Sequence, residues 1–174
     1  MIALDKFSEK DFDRLISWIE NEEDLIQFAG PIFQYPLSRL QLSSYLQQSK
    51  KVPLRVRLVN TGEIIGHCEI NFENEIPRLS RILIGEKKMR NQGYGKMVVR
   101  EMIKITFTET KSLAIDLNVF DWNLNAIACY QKMGFTTQPE KKSSMTVGKE
   151  FWTAQNMILM REHFVQDSYD GSSK

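Results

Sequence analysis

The chain has 174 residues, 42% of them hydrophobic and 26% charged, with a formal net charge of +1. That length suits one domain whose core hides roughly 70% of the unfolded surface, so disulfide or metal staples are not needed. The near-neutral charge gives no electrostatic reason to expect nucleic acid or a membrane surface as partner, and no apolar run approaches the roughly 18 residues of a membrane helix.

The opening MIALDKFSEKDFD has no basic start followed by an apolar run, so it does not read as a signal peptide. Cys68 and Cys129 sit in apolar segments and read as small core hydrophobes of a soluble, cytoplasmic protein. Ser8 with Asp11 three positions on resembles a capping box. Phe12, Leu15, Ile16 and Ile19 then recur at helical spacing, predicting a helix over 9–22. Residues 28–36 carry two prolines and three aromatics and cannot be regular helix. Ser38 is placed to cap a second helix bearing Leu42, Tyr45 and Leu46.

The period then changes to two. Residues 54–59 alternate, 60–63 form a turn, and 64–72 resume as a strand, which together predict a hairpin. A third strand is expected over 76–84, a helix over 93–110, a strand over 112–120 and a short helix over 123–133. A closing pair of strands spans 145–160 around Gly148-Lys149. The polar residues 166–174 read as a disordered tail after a single domain of 1–165. Antiparallel strands flanking one parallel crossover describe an α/β domain with a mixed sheet.

The crossover enters its helix through Arg90-Asn91-Gln92-Gly93-Tyr94-Gly95-Lys96. Glycine weakens a helix, so two of them at its entrance suggest that the backbone itself is used. N–H groups at a helix start have no internal partner and sit at the positive end of the macrodipole. Bare Gly93 and Gly95, with Arg90 and Lys96 beside them, make a phosphate cradle. A Walker loop is excluded because Met97 follows Lys96, and a dinucleotide fingerprint lacks its third glycine at Val98. A tight strand-to-helix turn without ligand is the competing explanation on these residues alone.

The next strand is followed by NVFDWNLNAIACYQKMGF, residues 118–135. Together with Arg90, Gly93 and Gly95, the series Asn123, Ala126, Tyr130, Gly134 and Phe135 resembles the GNAT superfamily of acyl-coenzyme A-dependent N-acyltransferases. The likeness is close over 64–136 and looser outside it. Asn91 stands where many members have glycine, and asparagine tolerates a left-handed backbone. The resemblance implies a mostly antiparallel twisted sheet flanked by helices and splayed at its central parallel strands. It implies acetyl-CoA as acyl donor, with its diphosphate on the amides of Asn91, Gln92, Gly93, Tyr94, Gly95 and Lys96, and Arg90 alongside. Its pantetheine would pair with Ile82, Leu83 and Ile84 like an added strand and meet Asn123, and an amide near Leu83 would hold the oxyanion. Tyr130 is implied as the acid that protonates the leaving thiolate.

The acceptor is then a primary amine, which must lose a proton before attack. Along the strand 64–72, Glu69 is the first candidate base and His67 the second. Cys129 has no cationic neighbour to activate it. No metal spacing is present. Asp11, Leu15 and Trp18 look like the branch of ribosomal-protein alanine and serine N-acetyltransferases. Many relatives dimerise, so a homodimer is an expectation without a readable interface. A non-catalytic acyl-CoA-binding regulator is the main alternative, and a structural or adaptor domain the third.

Overall fold

The computed structural model describes residues 1–164; the tail expected at 166–174 lies outside the described residues. The backbone forms one seven-stranded sheet in the order β1-β2-β3-β4-β5-β7-β6. Its strands are β1 (Ile2–Lys6), β2 (Lys51–Leu58), β3 (Ile64–Asn71), β4 (Arg78–Ile84), β5 (Ala114–Phe120), β6 (Thr136–Val147) and β7 (Glu150–Met160). All neighbours run antiparallel except β4 and β5. Those two are parallel and pair only at Arg78↔Asp116 and Leu79↔Leu117. Beyond that point they part, which gives the sheet the splayed centre that the sequence led us to expect.

Two apolar layers cover the sheet. On one face α4 (Tyr94–Glu109) buries Val98, Val99, Met102, Ile103 and Phe107, one stripe at helical spacing, against Ile70, Leu79, Ile115 and Leu117. Each such side chain contributes roughly 1.5–3 kcal/mol by leaving water. Residues Ala126, Ile127 and Tyr130 of α5 (Leu124–Lys132) pack onto the same layer. The second layer comes from α1 (Phe12–Ser17), α2 (Glu22–Ala29) and α3 (Arg39–Leu46), which gather Phe12, Leu15, Leu25, Phe28, Leu42 and Tyr45.

The expected helix over 9–22 is two elements. A 3-10 turn, Glu9–Asp11, carries the capping box of Ser8 and Asp11 into α1. The chain restarts at Asn21, whose side chain accepts the Asp24 N–H at 2.8 Å and caps α2. Ser38 caps α3 as expected, accepting from Gln41 N–H. β1 had no counterpart in the sequence reading. The final hairpin is longer than expected because β6 begins at Thr136 and shifts register between Gln138 and Lys142. The aromatics of 28–36 divide: Phe28 and Phe33 are core, and Tyr35 is exposed.

Candidate active site

β4 ends by passing beneath Trp18. A Cβ on Gly85 would lie 1.9 Å from the indole ring, so only glycine lets the strand exit there. The indole N–H donates to Glu86 at 3.2 Å. Arg90 then folds back, donating to the carbonyl oxygens of Ile84 at 2.9 Å and Gly85 at 3.2 Å. This corrects the expectation for Arg90: its guanidinium ties the foot of the loop rather than standing free beside a phosphate.

Above that tie, Asn91 and Gly93 have φ of 60° and 82°. Left-handed residues within a tight turn curl successive N–H groups into an anion-binding hollow. None of the N–H groups of residues 91–96 donates to a described group outside α4. A Cβ added at Gly93 or Gly95 would meet nothing within 4 Å, so the space in front of the amides is open. Lys96 is exposed beside it. Bare donors, a helix N-terminus and an adjacent cation fit a diphosphate.

The loop leaves β4 at the end where β4 no longer pairs with β5 and a cleft parts the two strands. In an antiparallel ladder the peptide groups of alternate residues face the same neighbour. Gly85 N–H donates to Ile65 at 2.9 Å. The Leu83 carbonyl lies so near Gly66 that a Cβ there would be 2.3 Å away. Leu83 therefore turns its peptide groups toward β3, and Ile84 turns its N–H toward the cleft. This refines the expectation of an oxyanion-holding amide near Leu83. The ladder is re-phased just before: Glu69 pairs with Ser80 and His67 with Leu83, leaving Arg81 and Ile82 opposite Cys68 alone. Arg81 has φ 51°, a conformation costing a side-chain-bearing residue roughly 1–2 kcal/mol.

Tyr130 lies on α5, the helix that follows β5, 5.9 Å from the Phe135 ring centre, and its hydroxyl has no hydrogen-bond partner among the described residues. Burial pushes its phenol up to about 12. Asn123 is the N-cap of α5, its side-chain oxygen accepting from Ala126 N–H at 3.3 Å, which leaves the amide nitrogen for a ligand. Burial raises the Cys129 thiol, so it stays protonated at neutral pH.

Glu69 is fully enclosed. One carboxylate oxygen pairs with the Arg81 guanidinium, and the other accepts from Tyr45 Oη at 2.5 Å. A base open to the acceptor, the expectation from strand alternation, is not what the fold provides there. Glu69 thus has a partner on each oxygen, while the buried Arg81 Nε has none among the described residues, and removing one member of such a buried pair typically costs about 3–5 kcal/mol. His67 is equally buried within a box of Phe7, Phe28 and Tyr45, at ring separations of 4.7, 5.5 and 6.2 Å. Its Nδ1 lies 3.3 Å from the Arg81 carbonyl. That carbonyl can only accept, so Nδ1 carries the proton, and the buried Nε2 has no partner among the described residues. Ile65 of the same strand packs with Cys68 and Ile70 in the other layer.

Burial lowers the His67 pKa to about 3. The unfolded imidazole takes up a proton below about pH 6.5, which the folded one refuses until about pH 3. Its contribution to stability is thus intact above 6.5 and lost as pH falls, by about 1.4 kcal/mol per unit. Urea midpoints should drop between pH 6.5 and 5, and His67→Gln should flatten that slope. An unchanged slope in the variant would assign the acid sensitivity elsewhere.

The sequence reading missed Tyr45 and Arg81. Their signal was weak, since neither belongs to a motif and they meet Glu69 from 24 and 12 residues away. A hollow of about 310 Å³ beside Tyr45 is lined by Phe33, Gln41, Gln48 and Lys51. Among the described residues no three His, Cys, Asp or Glu side chains gather as metal ligands, and no helix is long and apolar enough to cross a membrane.

A family model described as the acetyltransferase (GNAT) family matches residues 13–135. The L-amino acid N-acetyltransferase AaaT of Escherichia coli (strain K12) is 27% identical over 104 residues, 58% of this chain and 64% of that protein. The match therefore spans less than two thirds of that relative's length. The spermidine N-acetyltransferase of Vibrio cholerae, solved with CoA and spermine, superposes with a TM-score of 0.77 at 15% identity, over 93% of this chain and 96% of that one. The aminoglycoside acetyltransferase AAC(6')-Ib, solved with coenzyme A and kanamycin, gives 0.69 at 22% identity, over 94% and 96%. At these identities the two structures speak for the fold.

Proposed function

Because the chain belongs to the acetyltransferase (GNAT) family, we propose that it moves an acetyl group from acetyl-CoA to a primary amine by direct attack within a ternary complex. The observation that carries this reading is the run of N–H groups at residues 91–96 that donate to no described group outside α4, on the loop that leaves β4 where it no longer pairs with β5. The diphosphate lies on those amides, Lys96 adds charge, and Arg90 keeps the loop folded. Pantetheine lies along the β5-facing side of Ile82, Leu83 and Ile84, where Ile84 rather than Leu83 offers its N–H, and Asn123 meets it with its amide nitrogen. A cleft-facing N–H of that edge polarises the thioester carbonyl and stabilises the tetrahedral oxyanion.

Tyr130 donates to the departing sulfur. A phenol near 12 stays protonated throughout the working range, whereas the free thiol titrates near 8.5. Full proton transfer in water would be uphill by about 5 kcal/mol. The phenol therefore works chiefly as a hydrogen-bond donor while negative charge builds on sulfur, and the proton crosses as that charge becomes localised in the dry cleft. The acceptor amine gives its proton to solvent water. Cys68 and Cys129 are both free thiols, which suits a reducing cytoplasm.

The acceptor is stated as a primary amine, small molecule or protein N-terminus. Asp11, Leu15 and Trp18, which pointed to the ribosomal-protein branch, all have packing or pairing duties: Asp11 with Ser8, Arg14 and Arg55, Leu15 in the core, Trp18 over Gly85. The curated relative is named for L-amino acids. An α-amino group is common to both, and it is the acceptor to test first.

Thiol release from acetyl-CoA over a panel of amino acids, polyamines and N-terminal peptides tests the reading. Release that depends on an amine, and rises with pH as the amine deprotonates, is expected. Coenzyme binding with no release on any acceptor would favour the regulatory alternative instead.

A further inference from the structure

The bulge in β4 decides which peptide groups face the coenzyme cleft. Two residues, Arg81 and Ile82, stand opposite one, Cys68. Remove the extra residue from the ladder and every later group on β4 changes side, because the alternation has a period of two. The donor offered to the thioester is thus set by a backbone kink at a residue that disfavours it: Arg81, at φ 51°, is not glycine.

Three buried groups hold that kink. The Arg81 guanidinium pairs with Glu69, and the Arg81 carbonyl accepts from His67 Nδ1 at 3.3 Å. Glu69 and His67 flank the single opposing residue, so the ties reach the bulge from both sides. The guanidinium also lies over the Tyr45 ring, 5.3 Å from its centre, and the Arg81 side chain is 7% exposed. One tie grips the side chain of the strained residue and the other its backbone. A clamp meant only to glue helix to sheet would not need to grip both.

We propose that His67, Glu69 and Arg81 are positioning residues that lock the β4 bulge and so aim the cleft-facing amides at the thioester carbonyl. The inference rests on the acetyl-transfer reading and assigns Glu69 a duty other than proton removal. Its chemical consequence is specific. Loosening the clamp lets Arg81 relax to an ordinary φ, the ladder slips, and the oxyanion loses its donor while the diphosphate hollow on α4 is untouched. Turnover suffers and coenzyme affinity does not.

Glycine at 81 adopts the left-handed backbone without a clamp, which makes a decisive pair of variants. Glu69→Gln should lower kcat at least about tenfold, with KM for acetyl-CoA within about threefold and the pH–rate profile unmoved. The double variant Glu69→Gln with Arg81→Gly removes both buried charges and keeps the kink, and should recover kcat to within about threefold of the parent. A double variant as slow as Glu69→Gln, or a profile whose limb moves in Glu69→Gln, would make the carboxylate a proton-transfer group and overturn the proposal.

Tyr45→Phe gives a milder check, since it keeps the Arg81–Glu69 tie; a kcat loss as deep as that of Glu69→Gln would also count against the clamp. Amide hydrogen exchange reads the bulge without any turnover. Leu83 should be protected and Ile84 exchange faster in the parent, the contrast should vanish in Glu69→Gln, and it should return in the double variant. Unchanged exchange in Glu69→Gln would refute the clamp even if the parent proved to have no transferase activity, whereas absent thiol release with the expected exchange pattern would sink only the transfer reading.

Discussion

Gly95→Glu weakens acetyl-CoA binding at least about 100-fold and leaves the fold as stable as before. The hollow in front of α4 is where the two effects separate. A Cβ at 95 meets nothing within 4 Å, and Gly95 is not among the positive-φ residues, so a side chain enters without strain. Helix propensity favours glutamate over glycine by up to about 1 kcal/mol. A carboxylate in the first turn also suits the macrodipole. The melting temperature should hold or rise slightly. For the coenzyme the same carboxylate is ruinous. It occupies the space of a diphosphate oxygen and repels the remaining charge. Losing one or two charge-assisted hydrogen bonds, at about 1.5–3 kcal/mol each, already reaches two orders of magnitude. Calorimetry with CoA measures the loss and a thermal melt checks the fold. Unaltered affinity would mean that the diphosphate lies elsewhere. Gly93 would serve less well for this test, because its φ of 82° makes any substitution strained in its own right.

Tyr130→Phe lowers turnover on the order of 100-fold with coenzyme affinity within about twofold. The ring of Tyr130 packs with Phe135 on the α4-side layer, and phenylalanine keeps that packing. The hydroxyl has no partner among the described residues, so its removal strands no buried group. What disappears, on the proposed mechanism, is the donor to the departing sulfur. Because the parent phenol is held near 12 by burial, its donor state persists up to strongly alkaline pH. The parent should therefore show no alkaline fall in kcat from this group below about pH 10. Steady-state kinetics with a saturating amine reads the loss, and equal kcat values in parent and variant would remove Tyr130 from the chemistry.

The turn into α4 was the most legible part of the sequence because its geometry is written in backbone permission. Gly93, Gly95 and Asn91 sit where a left-handed turn and bare amides are required, and such needs restrict residue type strongly. The short helix α5 and its cap at Asn123 were legible through spacing. The hairpin of β2 and β3 and the cap at Ser38 were likewise local signals. β1 and α2 went unread although both had local signs: Ile2 and Leu4 alternate, and Asn21 precedes three acidic residues, as N-caps commonly do. The helix expected over 9–22 absorbed the α2 start by running past its own end. Glu69 was hardest. Strand alternation put it on the correct face with His67, but nothing local says that Arg81 and Tyr45 close over it, since that enclosure belongs to tertiary packing. The bulge was invisible for the same reason, because arginine is not a residue that announces a left-handed backbone.

On the proposed function, the N–H groups of residues 91–96 anchor the coenzyme. Nitrogen–proton correlation spectra recorded during a CoA titration test it most directly. The account predicts that the amides of Asn91 through Lys96 move furthest, with Ile84 following and the faces of α1 to α3 remote from the cleft nearly still. Saturable binding that leaves residues 91–96 unmoved would contradict it.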